Sequence, residues 1–169
     1  FARYDETITY QDLDSRSTNL AKGFQGYGIK QGSRAVVMLK PSIDFFLVMF
    51  ALFKNGVVPV LVDPGIARSA LKQCLQEAQP QAFIGIPLAH VAKIIFGWAP
   101  TVQLKVCTGS SNFFGGKTLH ALEKMGSVSQ YQLPTVQAED SAAILFTSGS
   151  TGVPKGVLYR HRHFVPQVR

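Results

Sequence analysis

The sequence predicts an α/β fold, a mainly parallel sheet flanked by helices. Short runs rich in apolar and β-branched residues begin near residues 35, 57, 82, 102 and 142. Stretches with helical spacing separate most of them, and parallel pairing needs such crossovers. The third observation is composition: 169 residues, 46% hydrophobic and 16% charged, are enough for one sizeable core and unlike a disordered chain.

The elements follow in order. Thr9 with Asp12 three residues later resembles a capping box, and Leu13, Ser17, Leu20, Ala21 and Phe24 recur at helical spacing, predicting a helix over 10–25 that ends at Gly26 and Gly28. Residues 34–39 read as a buried strand. Pro41 and Ser42 open a helix over 43–55, apolar on nearly every side and so expected to be packed on several, closed by Gly56. Residues 57–62 give a second strand, in which Pro59 argues against a regular central position or suggests a local irregularity.

Asp63, Pro64 and Gly65 form a turn; Ala67, Leu71, Cys74, Leu75 and Ala78 mark one face of a third helix, which Pro80 stops. Residues 82–86 are a third strand. Pro87 suits a first helical position, and Val91, Ile94 and Ile95 are expected to form the inner face of a helix over 88–96. Residues 102–107 give a fourth strand. The stretch 108–137 holds four glycines, a short helix candidate at 119–124 and an alternating segment at 128–133, and reads as a long surface connection. It delivers the chain to a last strand at 142–146.

The net charge of +7 comes from 17 Lys and Arg scattered along the chain, which does not describe a nucleic-acid surface. Lys155, Arg160, Arg162 and Arg169 do accumulate after the last acid, an imbalance suited to a small polyanion at least as well as to a nucleic acid. Cys74 and Cys107 sit among apolar neighbours without metal-site spacing and read as buried free thiols, which fits a reducing cytoplasm. The longest apolar stretch, 43–53, carries Asp44 and falls far short of the ~20 residues that span a bilayer.

After the last strand comes a loop in which Thr147, Ser148, Ser150 and Thr151 alternate with Gly149 and Gly152, followed by Pro154, Lys155 and Gly156. Hydroxyls donate to phosphoryl oxygens, glycines allow backbone N–H groups to form an anion nest, and the lysine adds a positive charge. In open α/β sheets ligands bind at the carboxyl ends of the strands, where this loop starts. A Walker A loop fails, because Pro154 stands where its glycine should and Gly156 where Ser or Thr is required. The dinucleotide fingerprint GxGxxG fails on spacing. His161 and His163 are two apart, but a zinc site needs three or four ligands, so capping or solvent exposure is expected of them. Asp63 reads as a turn initiator before proline, not as a magnesium ligand.

The stretch TSGSTGVPKG, 147–156, closely resembles the signature of the adenylate-forming (AMP-binding) superfamily, which includes acyl-CoA synthetases, luciferases and the adenylation domains of peptide synthetases. Residues 8–39 and 45–64 are similar to that family's opening helix and strand and its next helix and strand. Residues 71–85 and 158–164 look most like the long-chain branch of fatty-acid CoA ligases that includes the olefin-pathway β-lactone synthetases.

The resemblance implies ATP-dependent activation of a long-chain fatty or β-hydroxy fatty acid to an acyl-adenylate, with ATP and Mg²⁺ as cofactors and CoA or another acceptor as a further partner. It implies that Thr147, Ser148, Gly149, Ser150, Thr151 and Gly152 wrap the β- and γ-phosphates while Lys155 steadies the loop or the leaving pyrophosphate. Residues 1–169 are then the N-terminal part of an AMP-binding domain. The magnesium-binding acid, the catalytic lysine and the C-terminal lid domain are expected in a longer protein, and this stretch alone is expected to be inactive. The alternative is a non-catalytic nucleotide-binding or scaffold module with a relic loop.

Overall fold

A computed structural model describes residues 7–63, 65–109, 115–147 and 154–164. Its elements are α1 (Tyr10–Tyr27), β1 (Arg34–Met38), α2 (Ile43–Lys54), β2 (Val58–Val62), α3 (Arg68–Ala78), β3 (Ala82–Gly85), α4 (Pro87–Ile95), β4 (Leu104–Cys107), β5 (Lys117–Thr118), α5 (Leu119–Ser127), β6 (Ser141–Thr147) and β7 (Lys155–Arg160). A 3₁₀ turn at His161–His163 follows. No helix among the described residues is long and apolar enough to cross a membrane.

Local chemistry sets the helix ends. Thr9 Oγ1 accepts the Asp12 N–H at 3.0 Å and donates to the Asp12 carboxylate at 2.6 Å, and Gly28, in the left-handed region at φ 107°, closes α1. Ser42 caps α2 by accepting the Phe45 N–H at 3.3 Å. Asp63 Oδ1 accepts the Gly65 N–H at 2.8 Å, the side-chain turn expected of it.

The seven strands lie in the order β5-β4-β3-β1-β2-β6-β7, parallel except that β7 runs antiparallel to β6. Side chains alternate across it, as the period of a strand requires. Ala35 and Val37 face α1, α2 and α5 with Leu20, Phe24, Leu52 and Leu122, whereas Val36 and Phe83 face α3 and α4 with Leu75 and Trp98. The chain leaving β1 therefore crosses one face to reach β2, while the chain leaving β3 crosses the other to reach β4. The carboxyl ends of β1 and β3 form a topological switch point.

Pro59 lies within a central strand, at the local irregularity that is the other expectation. The Val58 N–H donates to Ser33 of the β1 side, so the nitrogen of Pro59 faces β6, where pairing begins only at Val60. Its missing donor falls one residue before the ladder needs it.

Two expectations are corrected. The helix expected at 119–124 is present as α5, but the stretch 108–137 is not simply a surface connection: it also holds β5, and Leu119 and Leu122 of α5 are buried against α1. A Cβ on Gly23 would strike the Leu122 carbonyl oxygen and one on Gly126 the Asn19 carbonyl oxygen, so both glycines serve close helix approach. The inner face of α4 is Ala89, His90 and Ala92; Val91, Ile94 and Ile95 point outward, at 36%, 63% and 69% exposure. The His90 ring packs edge-on against Phe83 at 4.9 Å and its Nε2 lies 3.0 Å from the Val106 carbonyl, which fixes that orientation. On α2, Leu47, Val48, Ala51 and Leu52 are buried and Ile43, Phe45 and Met49 pack against the same core, while Phe46 and Phe50 are exposed.

Candidate functional site: the β6–β7 hairpin

The apolar run Ala142 to Phe146 buries β6 beside β2, and the Asp63 N–H donates to the Phe146 carbonyl at 3.0 Å at the carboxyl end of both strands. There the chain turns back. Thr147 and Lys155 are the last residue pair of the β6–β7 ladder, facing each other across the hairpin. The segment 148–153 thus starts and finishes at one fixed point at the carboxyl edge of the sheet. Ser148, Gly149, Ser150, Thr151 and Gly152 lie outside the described residues; Thr147, Pro154 and Lys155 lie within them, and Lys155 is exposed. Among the described residues no side chain pairs with the Lys155 ammonium.

The strand β7 was not anticipated, although Val157, Leu158 and Tyr159 suit a strand. What the sequence alone hides is its pairing. Gly156 stands opposite Phe146, and a Cβ there would come within 2.8 Å of the Phe146 ring. The ring, 2% exposed, covers the glycine next to Lys155 and fixes the return of the loop.

The C-terminal cations separate into two groups. Arg160 Nη1 donates to Glu139 Oε2 at 3.2 Å and to its backbone carbonyl at 3.0 Å, and Arg162 Nη1 donates to Glu139 Oε1 at 3.0 Å. Both sit by Ser141, at the amino end of β6, roughly 17 Å from Lys155 at ~3.3 Å per residue. The expected polyanion patch of four cations is therefore corrected: Arg160 and Arg162 tie down the base of the hairpin, and Arg169 lies outside the described residues. The His163 Nδ1 accepts the Arg160 N–H at 3.1 Å, a capping role, while the His161 ring packs edge-on at 6.0 Å from Phe53.

A cavity of 610 Å³ lies elsewhere. It spans the amino ends of β1, β2 and β6 and the face bearing Ile144, Phe146 and Leu158, with Arg34 and Glu77 on its wall. The Arg34 guanidinium is engaged by the Ala78 carbonyl at 2.8 Å. Cys74 and Cys107 are buried free thiols, and burial raises both above the ordinary thiol range.

The AMP-binding enzyme family matches residues 1–169, and the chain belongs to that family. It is 61% identical over 168 residues to the olefin β-lactone synthetase of Stenotrophomonas maltophilia, covering 99% of this chain and 30% of that protein. The Xanthomonas campestris olefin β-lactone synthetase is 59% identical, with 99% and 30% covered. The 2,3-dihydroxybenzoate-AMP ligase of Bacillus subtilis is 31% identical over 93% of this chain and 29% of its own length. Among solved structures, an anthranilate CoA ligase in complex with anthranoyl-AMP superposes with a TM-score of 0.81 at 17% identity, over 95% of this chain and 31% of that one. The adenylation domain of a Mycobacterium chelonae carboxylate reductase gives 0.80 at 23% identity, over 93% and 28%. The fold is that of part of an adenylation domain. The chain spans about a third of the length of these relatives.

Proposed function

We propose that the full-length protein activates a carboxylic acid with ATP. A carboxylate oxygen bonds to the α-phosphorus, the bond from that phosphorus to the bridging oxygen breaks, and pyrophosphate leaves with the electron pair. Thr147, Ser148, Gly149, Ser150, Thr151 and Gly152 wrap the β- and γ-phosphates, and Lys155 offsets the charge that builds on the leaving group. Catalysis by this segment is positioning and charge stabilisation. The observation that carries the reading is the Thr147–Lys155 pair, which closes the hydroxyl- and glycine-rich segment at the carboxyl edge of the sheet.

Identities of 61% and 59% to two olefin β-lactone synthetases favour a β-hydroxy fatty acid within the long-chain class. In this reading, residues 1–169 are the N-terminal part of the AMP-binding domain, and downstream segments supply the remaining adenylate contacts and the lid. Mg²⁺ bound with ATP would offset phosphate charge, and in this reading its protein ligand is an acid of the downstream segments. The two buried thiols fit a reducing cytoplasm.

The test is acid-dependent ATP–pyrophosphate exchange by the full-length protein with fatty and β-hydroxy fatty acids. Hydrogen bonds to charged groups contribute about 1.5–3 kcal/mol, so Lys155→Ala lowers exchange about 10- to 100-fold with the fold retained. Unchanged exchange in both Lys155→Ala and Ser150→Ala would remove the loop from the reaction. Residues 1–169 alone are expected to give no exchange.

A further inference from the structure

Gly156 follows Lys155 in the strand that leaves the phosphate-holding segment, and its backbone does not call for glycine: its φ is not positive, unlike that of Gly28 or Gly56. What the position excludes is a Cβ. Built there, a Cβ would lie 2.8 and 2.9 Å from two atoms of the Phe146 ring, well inside the separation at which carbon atoms attract.

The ring is not free to move aside. Phe146 packs in the core with Val36, Val60, Cys74, Leu75 and Phe83. Its backbone is held as well, paired with Val62 of β2 and with Gly156 of β7, while its carbonyl accepts the Asp63 N–H. Of the two strands of the hairpin, β6 is therefore the fixed one. Residues 155–158 of β7 are exposed among the described residues, so burial of their side chains sets no register.

A slip of one residue would bring Lys155 or Val157 opposite Phe146, and each carries the Cβ that the ring excludes. It would also turn the Lys155 side chain to the other face of the sheet and shift it by about 3.3 Å along the strand. Successive pairs point to opposite faces, so the ring and Gly156 occupy one face while Thr147 and Lys155 occupy the other. The core side of the hairpin thereby sets the geometry of its phosphate side.

We infer that Phe146 is a positioning residue for the nucleotide: its ring, seated on Gly156, locks the register of β7 and so places Thr147 and Lys155 at the phosphates of ATP. The inference rests on the acid-activation reading, because it needs the segment between those two residues to hold phosphate.

The experiment measures equilibrium binding of ATP and of AMP to the full-length protein. Phe146→Leu removes the ring and keeps a buried apolar side chain; Phe83→Leu makes the same change in the same cluster on β3, three strands away, and is the control for damage to the core. Phe146→Leu is expected to weaken ATP about tenfold, as the loss of one hydrogen bond to a charged group would, and to leave AMP unchanged, while Phe83→Leu alters neither. Gly156→Ala weakens ATP to a similar degree, and the double variant is no worse than either single one, because both changes remove the same contact. Where Phe146→Leu does not fold, Phe146→Met against Phe83→Met makes the same comparison. Unchanged ATP binding in the folded Phe146 variant overturns the inference, as does equal weakening in the Phe83 control or additive losses in the double variant. Lys155→Ala separates the two readings. If it weakens ATP and Phe146→Leu does not, only the positioning role falls; if it too leaves ATP unchanged, the phosphate-holding reading falls and the positioning role with it.

Discussion

At His90, burial holds the imidazole below its ordinary titration range, with the positive fields of Lys105 and Lys93 adding to the effect. The unfolded chain takes up a proton near pH 6.5 that the folded chain refuses. The unfolded state therefore binds more protons below that pH, so stability is full above about pH 7 and falls as pH drops from there toward the lowered folded value. Urea denaturation at pH 7 and pH 5 should show a smaller loss in His90→Gln than in wild type; equal losses would remove His90 from the acid sensitivity. Gly156 makes a second residue-scale prediction. A methyl group there must displace the buried Phe146 ring, and overpacking of this kind costs about 1–3 kcal/mol, so Gly156→Ala should lower the urea midpoint. A midpoint equal to wild type would show that the ring yields freely. The identities of the loop residues were legible in the sequence because they are contiguous. The roles of His90 and Phe146 were not, since each depends on a partner from another element.

At the scale of elements, what is local was legible and what is pairwise was not. The caps of α1 and α2 were readable from Thr9, Asp12 and Ser42, because a cap is made within four residues. The orientation of α4 was not, because the helix is apolar on both faces and Phe83 of the sheet decides which one turns in. Glycines near α5 suggested a loop, yet Gly126 lets α5 approach the backbone of α1 at Asn19. Gly126→Ala should separate the two helices and cost about 3 kcal/mol, the upper end for overpacking, measured as a fall in the urea midpoint. A loss as small as that of an exposed helix substitution would contradict the close approach.

For the whole molecule, alternating strand and helix patterns were enough to give the parallel sheet, since five of its seven strands lie in plain apolar runs. The order of strands was beyond them. That β6 returns beside β2, and that β7 adds an antiparallel edge, comes from pairing across more than 80 residues of sequence separation for Val60 and Ile144. This order brings the carboxyl ends of β2 and β6 side by side and places the Thr147–Lys155 pair there.

The central claim is that the segment from Thr147 to Lys155 grips the β- and γ-phosphates of ATP. Equilibrium binding of ATP and of AMP to the full-length protein and to Ser150→Ala and Lys155→Ala tests it most directly. The account predicts that both substitutions weaken ATP about 10- to 100-fold and leave AMP unchanged, because AMP carries neither phosphate. Equal weakening of both nucleotides, or of neither, would contradict it.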